Sequence, residues 1–192
     1  MKTRIKNIVD KTLHKGWATL SEITFDYKMR AGNWVSKKRE SYNRGDGATI
    51  LLYNKEKQAV ILVKQFRISA FLNEDKTGFI IESCAGMLDN DDPETCVIRE
   101  VEEETGYRLK EAKKVMEAYS SPGALTEKLY YFVGEYSEAM KVSEGGGLEI
   151  EKEDIEILEM PFKEALQKIE TGEINDAKTI ILLQYAQINN LV

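Results

Sequence analysis

Three stretches before residue 45 carry the alternation of apolar and polar side chains that marks half-buried strands: 2–13, 17–29 and 34–42. The last two are joined by Ala31-Gly32-Asn33, a hairpin turn in composition. Arg44-Gly45-Asp46-Gly47 then interrupts the pattern. The chain is expected to divide there, into an N-terminal antiparallel β-sheet unit over 1–44 and a main domain over 45–192. In the main domain the β-rich runs 48–53 and 59–66 flank Asn54-Lys55-Glu56-Lys57, a second hairpin. A further strand over 79–85 is closed by Gly86. The helix expected next has Asp91 or Asp92 to cap it, Pro93 in its first turn and Gly106 at its end. Strands over 114–119, 129–136 and 155–159 follow, then helices over 161–171 and 176–188. Strands interleaved with helices in this way predict the α+β class, a mixed β-sheet sandwiched between α-helices.

Composition removes several functions. No apolar run is long enough to span a bilayer, and charges at Lys2, Arg4, Lys6, Asp10, Lys11 and Lys15 break up the first twenty residues, so a cytoplasmic protein with no secretory segment is expected. Two cysteines, Cys84 and Cys96, make neither a disulfide framework nor a thiolate metal site, and both are expected in or near the core. One histidine, His14, excludes sites built from several and is expected on a strand surface.

The net charge of −6 is unevenly spread. Residues 89–104 hold eight acids against Arg99, and residues 144–159 hold seven against Lys152. Lys28, Arg30, Lys37, Lys38, Arg39 and Arg44 form a basic stretch facing only Glu40. Two solvated acidic faces would satisfy this pattern, and so would two carboxylate clusters that collect divalent cations while basic residues meet an anionic substrate. The basic stretch is too short, and the chain too acidic, for nucleic acid.

The first acidic stretch is the informative one. Along a helix Glu100, Glu103 and Glu104 fall within an arc of about 100°, while Val97, Ile98 and Val101 occupy another arc suited to packing on a sheet. Like charges at these spacings repel, and a hard divalent cation removes that penalty. Arg99 can pin a neighbouring carboxylate.

The segment from Gly86 to Tyr107 resembles the Nudix box, the signature of hydrolases that cleave nucleoside diphosphates linked to another moiety. Arg99-Glu100-Val101-Glu102-Glu103-Glu104-Thr105-Gly106-Tyr107 matches its second half in full. The first half departs: Asp92 stands where the family has Glu, one residue too close to Arg99, as though the loop were trimmed, and Asp92 is given no role. Ser121-Pro122-Gly123 puts a proline fifteen residues past Tyr107, as in the branch acting on ADP-ribose and sugar nucleotides. Further likeness lies in Gly47-Ala48-Thr49-Ile50-Leu51-Leu52-Tyr53-Asn54, Gln65-Phe66-Arg67, Ile81-Glu82-Ser83-Cys84-Ala85-Gly86 and Gly145-Gly146-Gly147.

The resemblance implies a Nudix fold and hydrolysis of the pyrophosphate bond of a nucleotide sugar. GDP-mannose, giving GMP and mannose 1-phosphate, is the first expectation and ADP-ribose the rival; a non-catalytic sensor of nucleotide sugars is the reading from another class. It implies Mg2+, with Mn2+ as a substitute, held by Glu100, Glu103, Glu104, the Ala85 carbonyl and Glu153. Glu151 competes with Glu153 for the loop position, with Gly145-Gly146-Gly147 as a flexible hinge before it. Catalytic roles fall to Glu153, Glu104 and Arg99. Substrate contacts implied are Trp17, Lys38, Arg39, Glu40, Arg67, Ala85, Gly86, Met87, Glu104, Glu127 and Lys178. A homodimer is implied, with the N-terminal strands of one chain completing the partner's site, and neither nucleic acid nor a membrane as partner.

Overall fold

The structure is a computed structural model that describes residues 3–73, 77–148, 150 and 152–192. Its elements in chain order are β1 (Ile5–Lys15), β2 (Thr19–Lys28), β3 (Trp34–Asn43), β4 (Gly47–Asn54), β5 (Ala59–Phe66), α1 (Ile68–Leu72), β6 (Phe79–Glu82), β7 (Cys84–Met87), α2 (Pro93–Thr105), β8 (Lys113–Tyr119), β9 (Lys128–Glu135), β10 (Glu156–Pro161), α3 (Phe162–Thr171) and α4 (Ala177–Ile188). They fall into two compact units. One is the chain up to Asp46 together with Ala118–Leu129; the other is Gly47–Glu117 with Tyr130–Val192.

In the first unit β1, β2 and β3 form an antiparallel sheet in that order. The predicted turn between β2 and β3 is made as expected: Gly32 takes a positive φ of 95° and its N–H donates to Met29 O. β1 is an edge strand, exposed along its whole length, with two register shifts against β2. Such bulges twist an edge away from unwanted pairing. Tyr42 accepts from Thr126 N and donates to Ala124 O, which joins the 118–129 segment to β3.

The second unit holds a mixed sheet of seven strands, with a spine β10-β5-β4-β9-β8, β6 paired to β5 and β7 to β4. β4 is buried at every position, and its sequence is apolar apart from Thr49 and Asn54, as expected of a strand covered on both faces. Ala48, Ile50 and Leu52 share a core cluster with Cys96, Val97 and Val101 of α2. Thr49, pointing the other way by the two-residue period, meets Ser83, which contacts Thr179 of α4. Helices therefore cover both faces.

Two expectations are corrected here. The strand over 79–85 is two strands, because the chain changes partner at Ser83: Glu82 is opposite Val63 of β5, whereas Cys84 is opposite Ile50 of β4. Gly86 does not close it, since β7 continues to Met87. α1 has no signature in the sequence pattern, because five residues are too few to show a helical period. Among the described residues, no helix is long and apolar enough to cross a membrane.

Candidate active site

α2 is delimited by its own sequence. Asp92 accepts from the N–H groups of Glu94 and Thr95 at 3.1 and 3.2 Å, Pro93 occupies the first position, and Gly106 closes the helix at φ 77°. A helix end leaves its last carbonyls without partners. Here Gly106 N donates to Glu102 O, Gly147 N to Glu103 O at 3.1 Å and Gly146 N to Glu104 O at 2.9 Å. The glycine run is thus a hydrogen-bonded cap on α2, with φ of 66°, 101° and 86° at successive residues, and not the flexible hinge its composition suggested. It needs glycine because side chains disfavour that region and because a Cβ on Gly145 would press on the backbone of Thr105 and Gly106.

The acidic face of α2 splits in two. Glu104 is only 3% exposed, beside Cys84 and Ala85 of β7. Its Oε2 is buried and has no hydrogen-bond partner. Burial, opposed by the Cys84 thiol and reinforced by Glu100 and Glu153, pushes its pKa up to about 8. Glu100 packs directly over Gly86, where any Cβ would overlap its carboxyl group. Burial likewise raises Glu100 to about 7, held down by Arg99 and raised by Glu103 and Glu153. Glu103 turns away: its carboxylate accepts from Arg99 Nη1 at 2.9 Å and lines a cavity of about 690 Å3 with Thr95, Ile98, Glu102 and Leu148. Arg99 does not clamp one carboxylate bidentately but bridges Glu100 at 3.0 Å, Glu103 at 2.9 Å and Asp91 at 3.6 Å.

Glu153 lies within electrostatic reach of Glu100 and Glu104, and its Oε2 accepts the Leu148 N–H at 2.9 Å. Glu151 lies outside the described residues. Among the described residues, no three of His, Cys, Asp and Glu converge into a finished cation cage. The fit to a divalent cation rests instead on an orphaned buried carboxylate oxygen and a second carboxyl laid against a bare glycine. Both are costly without a cation and ordinary with one.

Arg67 and Lys178 come together at Glu82, a residue outside the Nudix box. Arg67 donates to Glu82 through Nε and Nη2, at 3.1 and 2.7 Å to its two oxygens, and Lys178 Nζ stands 3.3 Å from the same carboxylate. The signal was present: Glu82 follows Ile80 on the inward side of a strand, where alternation calls for an apolar residue.

The remaining candidates belong to the first unit. Trp17 is 72% exposed, with the Arg44 guanidinium 5.8 Å from its ring centre. Lys38 pairs with Glu22 at 3.1 Å, Arg39 donates to the Lys38 carbonyl at 2.7 Å, and Glu40 is an exposed residue of β3. Glu127 is buried with both oxygens engaged, one by Arg44 and the other by Ser120 Oγ at 2.6 Å. Cys84 and Cys96 are buried and unpaired, as expected, and His14 is on the exposed β1.

Residues 4–42 match the family model described as the GDP-mannose pyrophosphatase NudK N-terminal domain, and residues 43–183 match the NUDIX domain. The chain is 50% identical over 192 residues to a GDP-mannose pyrophosphatase of Enterobacter sp. (strain 638) and 47% identical to one of Escherichia coli O1:K1 / APEC, covering all of each. Among solved structures it resembles an ADP compounds hydrolase with a TM-score of 0.71, 16% identity, and 98% and 96% of the two chains covered, a likeness of fold. With the box helix formed and the domain model spanning most of the chain, this protein belongs to the NUDIX family and is a Nudix pyrophosphohydrolase.

Proposed function

We propose that the enzyme hydrolyses the pyrophosphate bond of GDP-mannose to GMP and mannose 1-phosphate with a divalent cation, Mg2+ first. The single observation that carries the cation is the buried, partnerless Oε2 of Glu104. The full-length identity to GDP-mannose pyrophosphatases supports the substrate. Glu100, Glu104, the Ala85 carbonyl and Glu153 would hold the cation, with Glu103 an outer member through Arg99. Bound there, it supplies neutralising charge to the phosphates and lowers the pKa of water.

The chain's own groups have separable tasks. The Ala85-Gly86-Met87 strand presents backbone to the substrate, and the bare Cα of Gly86 leaves room for the Glu100 carboxyl beside it. Arg67 and Lys178 meet those oxygens as hydrogen-bonding cations. Glu153 takes a proton from the attacking water, Arg99 holds the Glu100 and Glu103 carboxylates in place, and Glu104 serves the reaction as a cation ligand. Trp17 offers a face for the base, and Lys38, Arg39, Glu40 and Glu127 contact the rest of the substrate. A second copy of the chain supplies Trp17, Lys38, Arg39 and Glu40 to the site; the exposed apolar side chains of Ile5, Ile8, Val9 and Leu13 on β1 support such a dimer. The protein acts in the cytoplasm.

Product release from GDP-mannose and ADP-ribose, side by side with Mg2+ and with chelator, tests the reading. GMP formed faster than AMP, and only with metal, is expected. Faster AMP would move the substrate to ADP-ribose. Metal-independent cleavage would remove the cation, and binding without cleavage would make the domain a sensor.

A further inference from the structure

We propose that Glu82 is a positioning residue: its buried carboxylate holds Arg67 and Lys178 together in one orientation, as a prepared cationic pair for the substrate's phosphate oxygens. The inference rests on the functional reading above, and on four features of the structure.

First, Glu82 is 4% exposed in the middle of the main sheet. A carboxylate in that position is tolerated only when paired and hydrogen-bonded. Its partners are two residues distant in sequence, from the end of β5 and the start of α4, so the pairing joins elements that no local contact would align.

Second, the grip on Arg67 uses Nε and Nη2, one edge of the guanidinium. The Nη1 side takes no part in it, and 44% of the Arg67 side chain stays exposed. A planar fork held on one edge can offer the other to an anion without first losing rotamer freedom.

Third, Lys178 is held from a second side by Asp176 at 3.1 Å, and Asp176 also caps α4 through the Thr179 N–H. Thr179 Oγ1 in turn accepts the Ser83 N–H at 2.6 Å. The residue that follows Glu82 is therefore bonded to the turn that carries Lys178, and neither end of the pair can drift alone.

Fourth, Ala85 is three residues from Glu82, so their Cα atoms lie at most about 11 Å apart. Arg67 is within electrostatic reach of Glu104. The cationic pair and the carboxylates of α2 thus flank the same short strand.

Glu82→Gln keeps the shape and turns an acceptor into a donor facing two cations. Variants Glu82→Gln, Glu82→Asp, Arg67→Met, Lys178→Met and Glu82→Gln combined with Arg67→Met are compared on whichever of GDP-mannose and ADP-ribose the wild-type enzyme cleaves. KM and kcat are measured, with calorimetric binding of the same compound in chelator as a readout independent of turnover. Glu82→Gln is expected to raise KM and Kd about tenfold, the equivalent of about 1.4 kcal/mol, with kcat changed less than threefold. Glu82→Asp restores part of the affinity, and the combined variant is no worse than Arg67→Met alone. If Glu82→Gln fails to fold, Glu82→Asp still separates a KM effect from loss of stability. Unchanged or tighter binding in Glu82→Gln, alongside weakened Arg67→Met and Lys178→Met, overturns the positioning role alone. Unchanged binding in Arg67→Met and Lys178→Met, or a wild-type protein that cleaves neither compound, overturns the functional reading and this inference with it.

Discussion

The sharpest consequence of the carboxylate cluster is that the metal-free protein should lose stability as pH rises, and that one substitution should remove much of this dependence. Glu104 ionises near 4.5 in an unfolded chain and at about 8 in the folded one. Between those values the folded state binds the extra proton, so unfolding stability falls as pH increases. The contribution is intact below about 4.5 and is lost as pH climbs through about 8. Each pKa unit corresponds to about 1.4 kcal/mol, so ionising Glu104 alone costs on the order of 4 to 5 kcal/mol, less whatever Glu100 shares through coupling. For a chain of this size that is a fall in melting temperature of roughly 10 °C.

The assay is thermal unfolding from pH 5 to 8.5, in chelator and in excess Mg2+, for the wild type and Glu104→Gln. Wild type in chelator should lose those degrees across the range. Mg2+ held by the ionised cluster of the folded state alone, as proposed above, should cancel most of the loss. Glu104→Gln should show a much flatter curve in chelator and melt above wild type at pH 8.5, while its turnover falls by orders of magnitude. Parallel curves for the two proteins in chelator would refute the assignment of the buried charge to Glu104. A flat wild-type curve would refute the burial argument itself.

Three further outcomes are expected. Gly86→Ala puts a methyl group into the Glu100 carboxyl and should lower kcat/KM at least a hundredfold, about 2.7 kcal/mol in the barrier, with the melting temperature in Mg2+ changed by only a few degrees; steady-state kinetics and a thermal scan check it. Glu153→Gln should reduce kcat at least a hundredfold and Glu151→Gln less than threefold, and the reverse order in the same assay would move the loop register by two. Glu103→Gln leaves Arg99 its contacts to Glu100 and Asp91, so its loss in kcat should be about tenfold, well short of that of Glu104→Gln.

What the sequence made legible was whatever a local rule governs. The α2 boundaries follow from Asp92, Pro93 and Gly106, residues chosen by backbone conformation and by the needs of a helix end. β4 and β5 announce themselves as apolar runs between turn residues. What stayed hidden depends on partners remote in sequence. The break at Ser83 exists because two adjacent strands, β4 and β5, each claim half of one segment, and nothing within 79–87 encodes that choice. Helical spacing put Glu100, Glu103 and Glu104 on one arc, but an arc says nothing of which flank meets β7 and which meets Arg99. The pairing of Glu82 with Arg67 and Lys178 spans almost the whole main domain.

The tri-glycine cap links these levels. Composition alone reads Gly145-Gly146-Gly147 as slack, yet each glycine spends its freedom on a positive φ, and two of the three donate to orphan carbonyls of α2. Those carbonyls belong to Glu103 and Glu104, so the loop is tied to the backbone of the residues whose side chains carry the charge cluster. The tie also sets where the chain goes next. A Cβ on Gly147 would lie 2.6 Å from the Glu153 side chain, so the cap and the loop carboxylate fit together only with glycine at that position. The segment that looks most flexible in sequence is therefore the one that brings the second acidic stretch back to the first. The turn that caps the unsatisfied carbonyls of α2 is thus the one that carries Glu153 within electrostatic reach of Glu100 and Glu104.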